Sequence, residues 1–168
     1  KPSALVTIAL APKQVRPLST KRAIHLVMKS ELAVGSRSFL QKYNVTQIDQ
    51  IIRSQGKEKA IRIYQLLNVG NHIHLVIKID NLRLYKRFIR SVTGLIARHV
   101  LKAERGMPKG IKFWIARPFT RIISWGRDYH YIQRYMEKNK AQSCVRAAFV
   151  DWGFSVTDPS AVLCLNTG

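Results

Sequence analysis

The amino-acid sequence predicts an α+β domain built around an antiparallel sheet. Several short runs are rich in β-branched and aliphatic residues, a Gly-Asn pair separates two of them, and one long segment carries apolar residues at helical spacing. The chain has 168 residues, 46% of them hydrophobic. That length and composition suit one domain with a substantial core.

The first half of the chain predicts a strand and then a helical region. The strand covers 22–28, which is aliphatic and β-branched. Ser36 or Ser38 is positioned to cap the helical region, whose polar and β-branched residues at 44–46 indicate a break. Gly56 is the expected end of this region.

A hairpin and a long helix follow. Two strands, over 60–69 and 72–79, are joined by a Gly-Asn turn. Asp80 or Asn81 then caps a helix that ends near residue 105. Its apolar positions recur on one face, which is expected to be buried; they are Tyr85, Phe88, Ile89, Val92, Ile96 and His99.

The last part of the predicted domain is a strand in two pieces and a final helix. The strand covers 111–115 and 119–125, interrupted at Pro118, and the helix covers 127–140. The complete order is β-α-β-β-α-β followed by an additional C-terminal helix. This is the ferredoxin-like split βαβ arrangement with a central antiparallel sheet.

The outer segments are predicted to lie outside this domain. Residues 1–20 are expected to form an N-terminal arm, 21–150 the domain, and 151–168 a C-terminal tail. No apolar run is long enough to span a bilayer, and no signal peptide is visible, so a soluble cytoplasmic protein is expected. The two cysteines lack CxxC spacing, which argues against a zinc site.

The charge balance indicates a polyanionic partner. The chain has 29 Lys and Arg against 9 Asp and Glu, a net charge of +20. Such an excess of positive charge on a small domain is typical of nucleic-acid binding. The few carboxylates disfavour a nuclease site built from clustered acids.

The string Asn71-His72-Ile73-His74-Leu75 is the first candidate for chemistry. Side chains alternate across a strand, so His72 and His74 share one face and can hold one metal ion. A pair of structural histidines would show the same pattern. A second string lies on the final helix, where Tyr131, Tyr135 and Asn139 recur every four residues and line one face.

Together the two strings resemble the HUH endonuclease superfamily. The most similar branch is the single-tyrosine transposases, which include the REP-associated tyrosine transposases. The resemblance rests on Asn71-His72-Ile73-His74-Leu75 and Tyr135-Met136-Glu137-Lys138-Asn139, with Phe113-Trp114 between them matching an aromatic-Trp strand of that family. It covers roughly residues 21–149.

The resemblance implies a site and a reaction. His72, His74 and Asn139 would hold a divalent metal ion, Mg²⁺ or Mn²⁺, and Tyr135 would be the catalytic nucleophile. The reaction would nick and rejoin single-stranded DNA at hairpin-flanked sites through a 5′-phosphotyrosine intermediate. The partner would be single-stranded or hairpin DNA, and the family contains both monomers and homodimers.

Two assignments within this site have alternatives. Tyr131 and Tyr135 also have the spacing of two-tyrosine enzymes, although the single-tyrosine pattern favours Tyr135 as nucleophile. Glu137 is an alternative third ligand, but two residues from Tyr135 it points to another side of the helix, which favours Asn139.

Basic side chains are the expected DNA contacts, because phosphate neutralisation supplies most of the affinity for nucleic acids. Trp114, Phe119 and Trp125 are candidates for stacking on bases or for core packing. The alternative function is a non-catalytic, domesticated or degenerate nucleic-acid-binding protein on the same fold. The DNA-binding candidates are Arg83, Lys86, Arg87, Arg90, Arg117, Arg121, Arg134 and Lys138.

Overall fold

The computed structural model describes residues 17–104, 110–124 and 126–138. Its regular elements occur in the predicted order. They are β1 (Ala23–Lys29), a 3₁₀ turn (Gly35–Arg37), α1 (Lys42–Glu58), β2 (Arg62–Asn68), β3 (His72–Lys78), α2 (Leu82–Val100), β4 (Phe119–Ile123) and the helix α3 over 127–138.

The strands form one sheet in the order β2-β3-β1-β4. Each neighbouring pair is antiparallel, and β1 and β3 occupy the centre. The order and the two helical crossovers are those of the split βαβ arrangement, so the predicted fold class is confirmed. Any side chain needed at the middle of the sheet must therefore come from β1 or β3.

The sheet separates two hydrophobic layers because its side chains alternate between faces. One face packs on α1 and α2 and contains Ile73, Leu75 and Ile77, all fully buried. The other face packs on α3 through Ile132 and Met136. Each fully buried aliphatic side chain contributes roughly 1.5–3 kcal/mol to folding. The layer under α1 and α2 is therefore the main source of stability.

Two local predictions about turns and caps are confirmed. The hairpin closes through Val69 N, which donates to His72 O at 3.1 Å, and Gly70 adopts a φ of 98° that favours glycine. Asn81 caps α2, since its side-chain oxygen accepts from the backbone of Arg83 and Leu84. The helix ends at Val100, earlier than predicted.

The predicted break at 44–46 is wrong, because α1 runs through these residues and ends at Glu58. Asn44 Nδ2 donates to Ser38 O at 2.8 Å, outside the helix, and Asn44 Oδ1 accepts from His99. Asparagine usually breaks a helix because its side chain competes for the backbone hydrogen bonds. Here the Asn44 side chain bonds elsewhere, so the helix continues.

The predicted strand over 111–115 is also wrong, and with it the interpretation of Phe113-Trp114 as a strand. Side-chain contacts, instead of strand-to-strand hydrogen bonding, hold Phe113 and Trp114 in place. Phe113 is 4% exposed in the core, and Trp114 Nε1 donates to Thr93 O at 3.0 Å. The last strand begins only at Phe119, after Pro118, which has no N–H to donate.

Several predicted features fall on residues outside the described ranges. They include most of the arm over 1–20, the tail over 151–168, Trp125 and the candidate ligand Asn139. Among the helices that are described, none is both long and apolar enough to cross a membrane.

Candidate active site

His72 and His74 project from β3 on the sheet face that α3 covers. Their ring centroids lie 4.7 Å apart, with the ring planes 68° from parallel. His74 is 2% exposed, whereas His72, the first residue of the strand, is half-buried. Ile73 and Leu75 point to the opposite face, as the alternation predicted.

A third imidazole, His25, lies beside this pair on the neighbouring strand β1. A hydrogen bond joins His25 Nε2 to His74 Nδ1 at 3.1 Å, and the two rings are stacked with their centroids 5.3 Å apart. Sequence reasoning missed His25. The available signal was a histidine inside an otherwise apolar central strand, where burial is costly without a polar partner.

Tyr135 approaches the histidines from α3. Ile132 and Met136 anchor this helix in the core beneath it. Tyr135, on the adjacent side of the helix, lies with its ring 5.6 Å from that of His74 and 6.5 Å from that of His25. Tyr135 is 40% exposed, so its ring borders both the histidines and solvent.

The histidines and tyrosines line an open cleft of about 630 Å³. Tyr131, which is 63% exposed, lies on its border one helical turn before Tyr135. Lys29, Arg117 and Arg121 also line it, and no Asp or Glu is found among its described lining residues. The charge of this cleft therefore suits a phosphate-bearing ligand. A larger cleft of about 1160 Å³ lies between α1 and α2 and contains none of the predicted site residues.

The two predicted histidine ligands fit a divalent cation. His72 Nδ1 lies 2.7 Å from Asn71 Oδ1, an acceptor, so this nitrogen donates and Nε2 retains its lone pair. Within the described ranges, no hydrogen-bond partner reaches the buried His74 Nε2. A buried imidazole nitrogen of this kind is suited to ligation.

Asn139, the candidate third ligand, lies outside the described residues, directly after the last described residue of α3. Within them, no three His, Cys, Asp or Glu side chains are arranged to hold a metal ion. Glu137, the alternative ligand, is exposed and forms no such group with the histidines.

Both buried histidines are held in their neutral form. Burial lowers the pKa of His25 to about 4, and the nearby charge of Arg121 acts in the same direction. Burial also lowers the pKa of His74 to about 3, and the proximity of the His72 and His25 imidazoles acts in the same direction. The neutral imidazole is the form that can bind a metal ion.

The lowered pKa values predict an acid-sensitive fold. The unfolded chain takes up protons at these histidines below about pH 6.5, whereas the folded chain does not until pH 4 or lower. We therefore expect the free energy of unfolding in EDTA to be nearly full at pH 7.5 and to fall by roughly 4 kcal/mol between pH 7.5 and 5. Urea titrations at the two pH values measure this loss.

The control for this experiment is His130, which is exposed on α3. His130→Asn should leave the pH dependence unchanged, and the double variant His25→Leu/His74→Leu should flatten it. A double variant that loses as much stability as the wild type at pH 5 would show that other groups cause the acid sensitivity.

The predicted DNA contacts divide into two sets by sheet face. Arg117 and Arg121 line the cleft, and Arg134 and Lys138 are exposed on α3, one turn from Tyr131 and Tyr135 respectively. The basic residues of α2 are exposed on the helical layer, across the sheet from the histidines; they are Arg83, Lys86, Arg87 and Arg90.

The candidate stacking residues also fall into two groups, one at the cleft and one in the core. Phe119 is 51% exposed and lines the cleft, where its ring can contact a base. Trp114 packs against Phe39, with ring centroids 5.9 Å apart, and bonds to the backbone of α2. Core packing is therefore the role of Trp114.

This chain matches one protein family and several solved structures. A family model described as "Transposase IS200 like" matches residues 20–139 of this chain. The structure of a REP-associated tyrosine transposase bound to a REP hairpin matches with a TM-score of 0.58 and 15% identity, over 78% of this chain and 73% of that chain. It shows the same fold.

The second solved structure is a candidate transposase from Deinococcus radiodurans R1, with a TM-score of 0.47 and 17% identity. That match covers 79% of this chain and 98% of the other. No curated protein matches this chain.

Proposed function

Because this chain belongs to the IS200-like transposase family, we propose that it nicks and rejoins single-stranded DNA through a covalent bond to Tyr135. The observation that carries this proposal is the position of the Tyr135 ring, 5.6 Å from the buried His74. A nucleophile, a pair of candidate metal ligands and three cations border one cleft. Nucleophilic phosphoryl transfer needs each of these groups within reach of a single phosphate.

In the proposed reaction the phenolic oxygen of Tyr135 attacks the phosphorus of a DNA phosphodiester. A bond forms between that oxygen and phosphorus, and the bond from phosphorus to the 3′ oxygen breaks. The tyrosine hydroxyl loses its proton, and the departing 3′ oxygen gains one. The products are a 5′-phosphotyrosine and a free 3′-hydroxyl, so the reverse reaction can join a new 3′ end without ATP.

His72 and His74 would hold a divalent cation through their Nε2 atoms, and the family pattern adds Asn139 as a third ligand. Imidazole ligands suit Mn²⁺ better than Mg²⁺, which prefers oxygen. When bound, the cation would polarise the scissile phosphate and stabilise charge on the departing oxygen. The chain itself supplies the nucleophile and the basic cleft that orients the strand.

Lys29, Arg117 and Arg121 would bind phosphates on either side of the reacting one. Phe119 would stack on an unpaired base, which favours single-stranded over duplex DNA at this cleft. The REP-associated transposase of similar fold is bound to a REP hairpin. A hairpin next to the nicked strand is therefore our proposed substrate for this chain as well.

Removing two cations from the cleft should weaken binding to single-stranded DNA. It should also make that binding less dependent on salt concentration. Each lost phosphate contact lowers the slope of log K against log salt by about 0.7. We expect Arg117→Gln/Arg121→Gln to reduce that slope by about 1.4. Fluorescence anisotropy with a labelled single-stranded oligonucleotide across a salt series gives the slope directly.

The matched control removes the same charge from α2. Arg87→Gln/Arg90→Gln alters the opposite sheet face and should change the slope much less than the cleft variant. An equal or larger change in the α2 variant would mean that DNA binds chiefly across α2, and would contradict binding in the histidine cleft.

The direction of cleavage tests the proposed chemistry. An oligonucleotide labelled at its 3′ end should remain attached to the protein on a denaturing gel in the presence of Mn²⁺. The same oligonucleotide labelled at its 5′ end should be released as a shorter strand with a free 3′-hydroxyl. Attachment of the 5′-labelled fragment would contradict the mechanism. Tight, salt-dependent binding with no attachment to cognate hairpin DNA would favour the non-catalytic alternative.

A further inference from the structure

His25 is a buried polar side chain next to apolar neighbours on its sheet face. It is 8% exposed on a central strand and shares a sheet face with the apolar Ala23 and Ile123. Burial of an imidazole costs free energy unless its nitrogens find partners. The partner that it finds is His74 Nδ1, at 3.1 Å. This contact therefore accounts for the presence of a histidine at position 25.

The proton in this hydrogen bond can belong to either ring, with opposite consequences. A neutral imidazole carries one N–H, so one ring donates and the other accepts. If His25 donated, His74 would carry its own proton on Nε2, which is buried and has no acceptor among the residues that the structure describes. If His74 donates from Nδ1, its Nε2 instead presents a lone pair. Only the second arrangement can bind a cation.

His72 shows the same arrangement with a different partner. Its Nδ1 donates to Asn71 Oδ1 at 2.7 Å, which leaves Nε2 with the lone pair. The two histidines of β3 thus have one acceptor each beside Nδ1. For His72 that acceptor comes from the preceding residue, and for His74 it comes from the adjacent strand β1.

We propose that His25 is a positioning residue that accepts the Nδ1 proton of His74 and thereby fixes His74 Nε2 as a cation ligand. This inference rests on the metal site of the proposed function. His25 itself touches neither the cation nor DNA in this role. Loss of such an outer hydrogen bond typically costs about 10–100-fold in metal affinity.

Two substitutions separate this role from simple packing. In His25→Gln the side-chain oxygen can occupy the place of Nε2 and accept the same proton. In His25→Leu the volume is filled and the acceptor is lost. Thermal unfolding in EDTA is the check that both variants fold. His130→Asn, on the exposed surface of α3, is the control for loss of an unrelated histidine.

The first readout is the position of the proton on His74 in metal-free protein, from imidazole ¹⁵N chemical shifts. Wild type and His25→Gln should carry it on Nδ1, and His25→Leu should shift it toward Nε2. Wild-type His74 protonated on Nε2 would overturn the inference without reference to any metal.

The second readout is Mn²⁺ affinity, from electron paramagnetic resonance or calorimetry. His25→Leu should bind about 10–100-fold more weakly than wild type, and His25→Gln within about threefold of it. Equal affinity in His25→Leu, or no Mn²⁺ binding by wild type, would refute the role. Wild type that binds Mn²⁺ with the expected variant pattern but forms no DNA adduct would refute the proposed function and leave this inference standing.

Discussion

Replacing Tyr135 with phenylalanine should abolish covalent attachment to DNA while leaving DNA affinity within about fivefold of wild type. The substitution removes only the hydroxyl group, whose contribution to binding as one hydrogen bond is about 0.5–1.5 kcal/mol. The ring stays beside His74, so the packing of α3 is kept. A denaturing gel measures attachment, and anisotropy in EDTA measures affinity.

Tyr131→Phe is the matched control, because Tyr131 lines the same cleft from the same helix. Tyr131 is 63% exposed and lies one turn closer to the start of α3 than Tyr135. We expect this variant to retain attachment. If Tyr135→Phe still attached to DNA and Tyr131→Phe did not, the nucleophile would be Tyr131. Loss in both variants would indicate two tyrosines that act in sequence.

Removal of either candidate ligand should have the second large effect. His72→Ala and His74→Ala each delete one imidazole of the pair, and metal catalysis of phosphoryl transfer is worth several kcal/mol. We expect Mn²⁺-dependent nicking to fall by about 10³-fold or more in each variant. Binding of single-stranded DNA in EDTA should be retained, because the proposed phosphate contacts come from the cleft cations.

His99→Ala is the appropriate comparison for the ligand variants. His99 is a partly buried histidine that contacts Asn44 on the helical layer, across the sheet from the cleft. This variant should nick DNA at nearly the wild-type rate under conditions where it is folded. Nicking by His72→Ala that is unchanged and still Mn²⁺-dependent would contradict ligation by the histidine pair.

The strand that carries the histidines was predictable because its pattern is local. Alternation along β3 places His72 and His74 on one sheet face and Ile73 and Leu75 on the other. The apolar stripe of α2 predicts which face of that helix is buried. From the predicted fold, the basic residues could also have been assigned to the two faces of the sheet. In a split βαβ fold both crossover helices pack on one side of the sheet, so α2 lies away from the histidines.

The misses have a common physical cause, since each depends on contacts between residues far apart in sequence. His25 meets His74 across 49 residues, because β1 is inserted beside β3 in the sheet order. Asn44 stays helical because Ser38 and His99 satisfy its amide. The segment of Phe113 and Trp114 is held by the core and by Thr93 instead of by strand pairing.

The most direct test of this account is to identify the residue that carries DNA after reaction with Mn²⁺ and hairpin-flanked single-stranded DNA. Digestion of the adduct followed by peptide mass mapping should find a nucleotide phosphate on Tyr135. We expect one modified residue, bonded to the 5′ phosphate of the downstream fragment. An adduct on Tyr131, or cleavage of cognate DNA with no protein adduct, would contradict it.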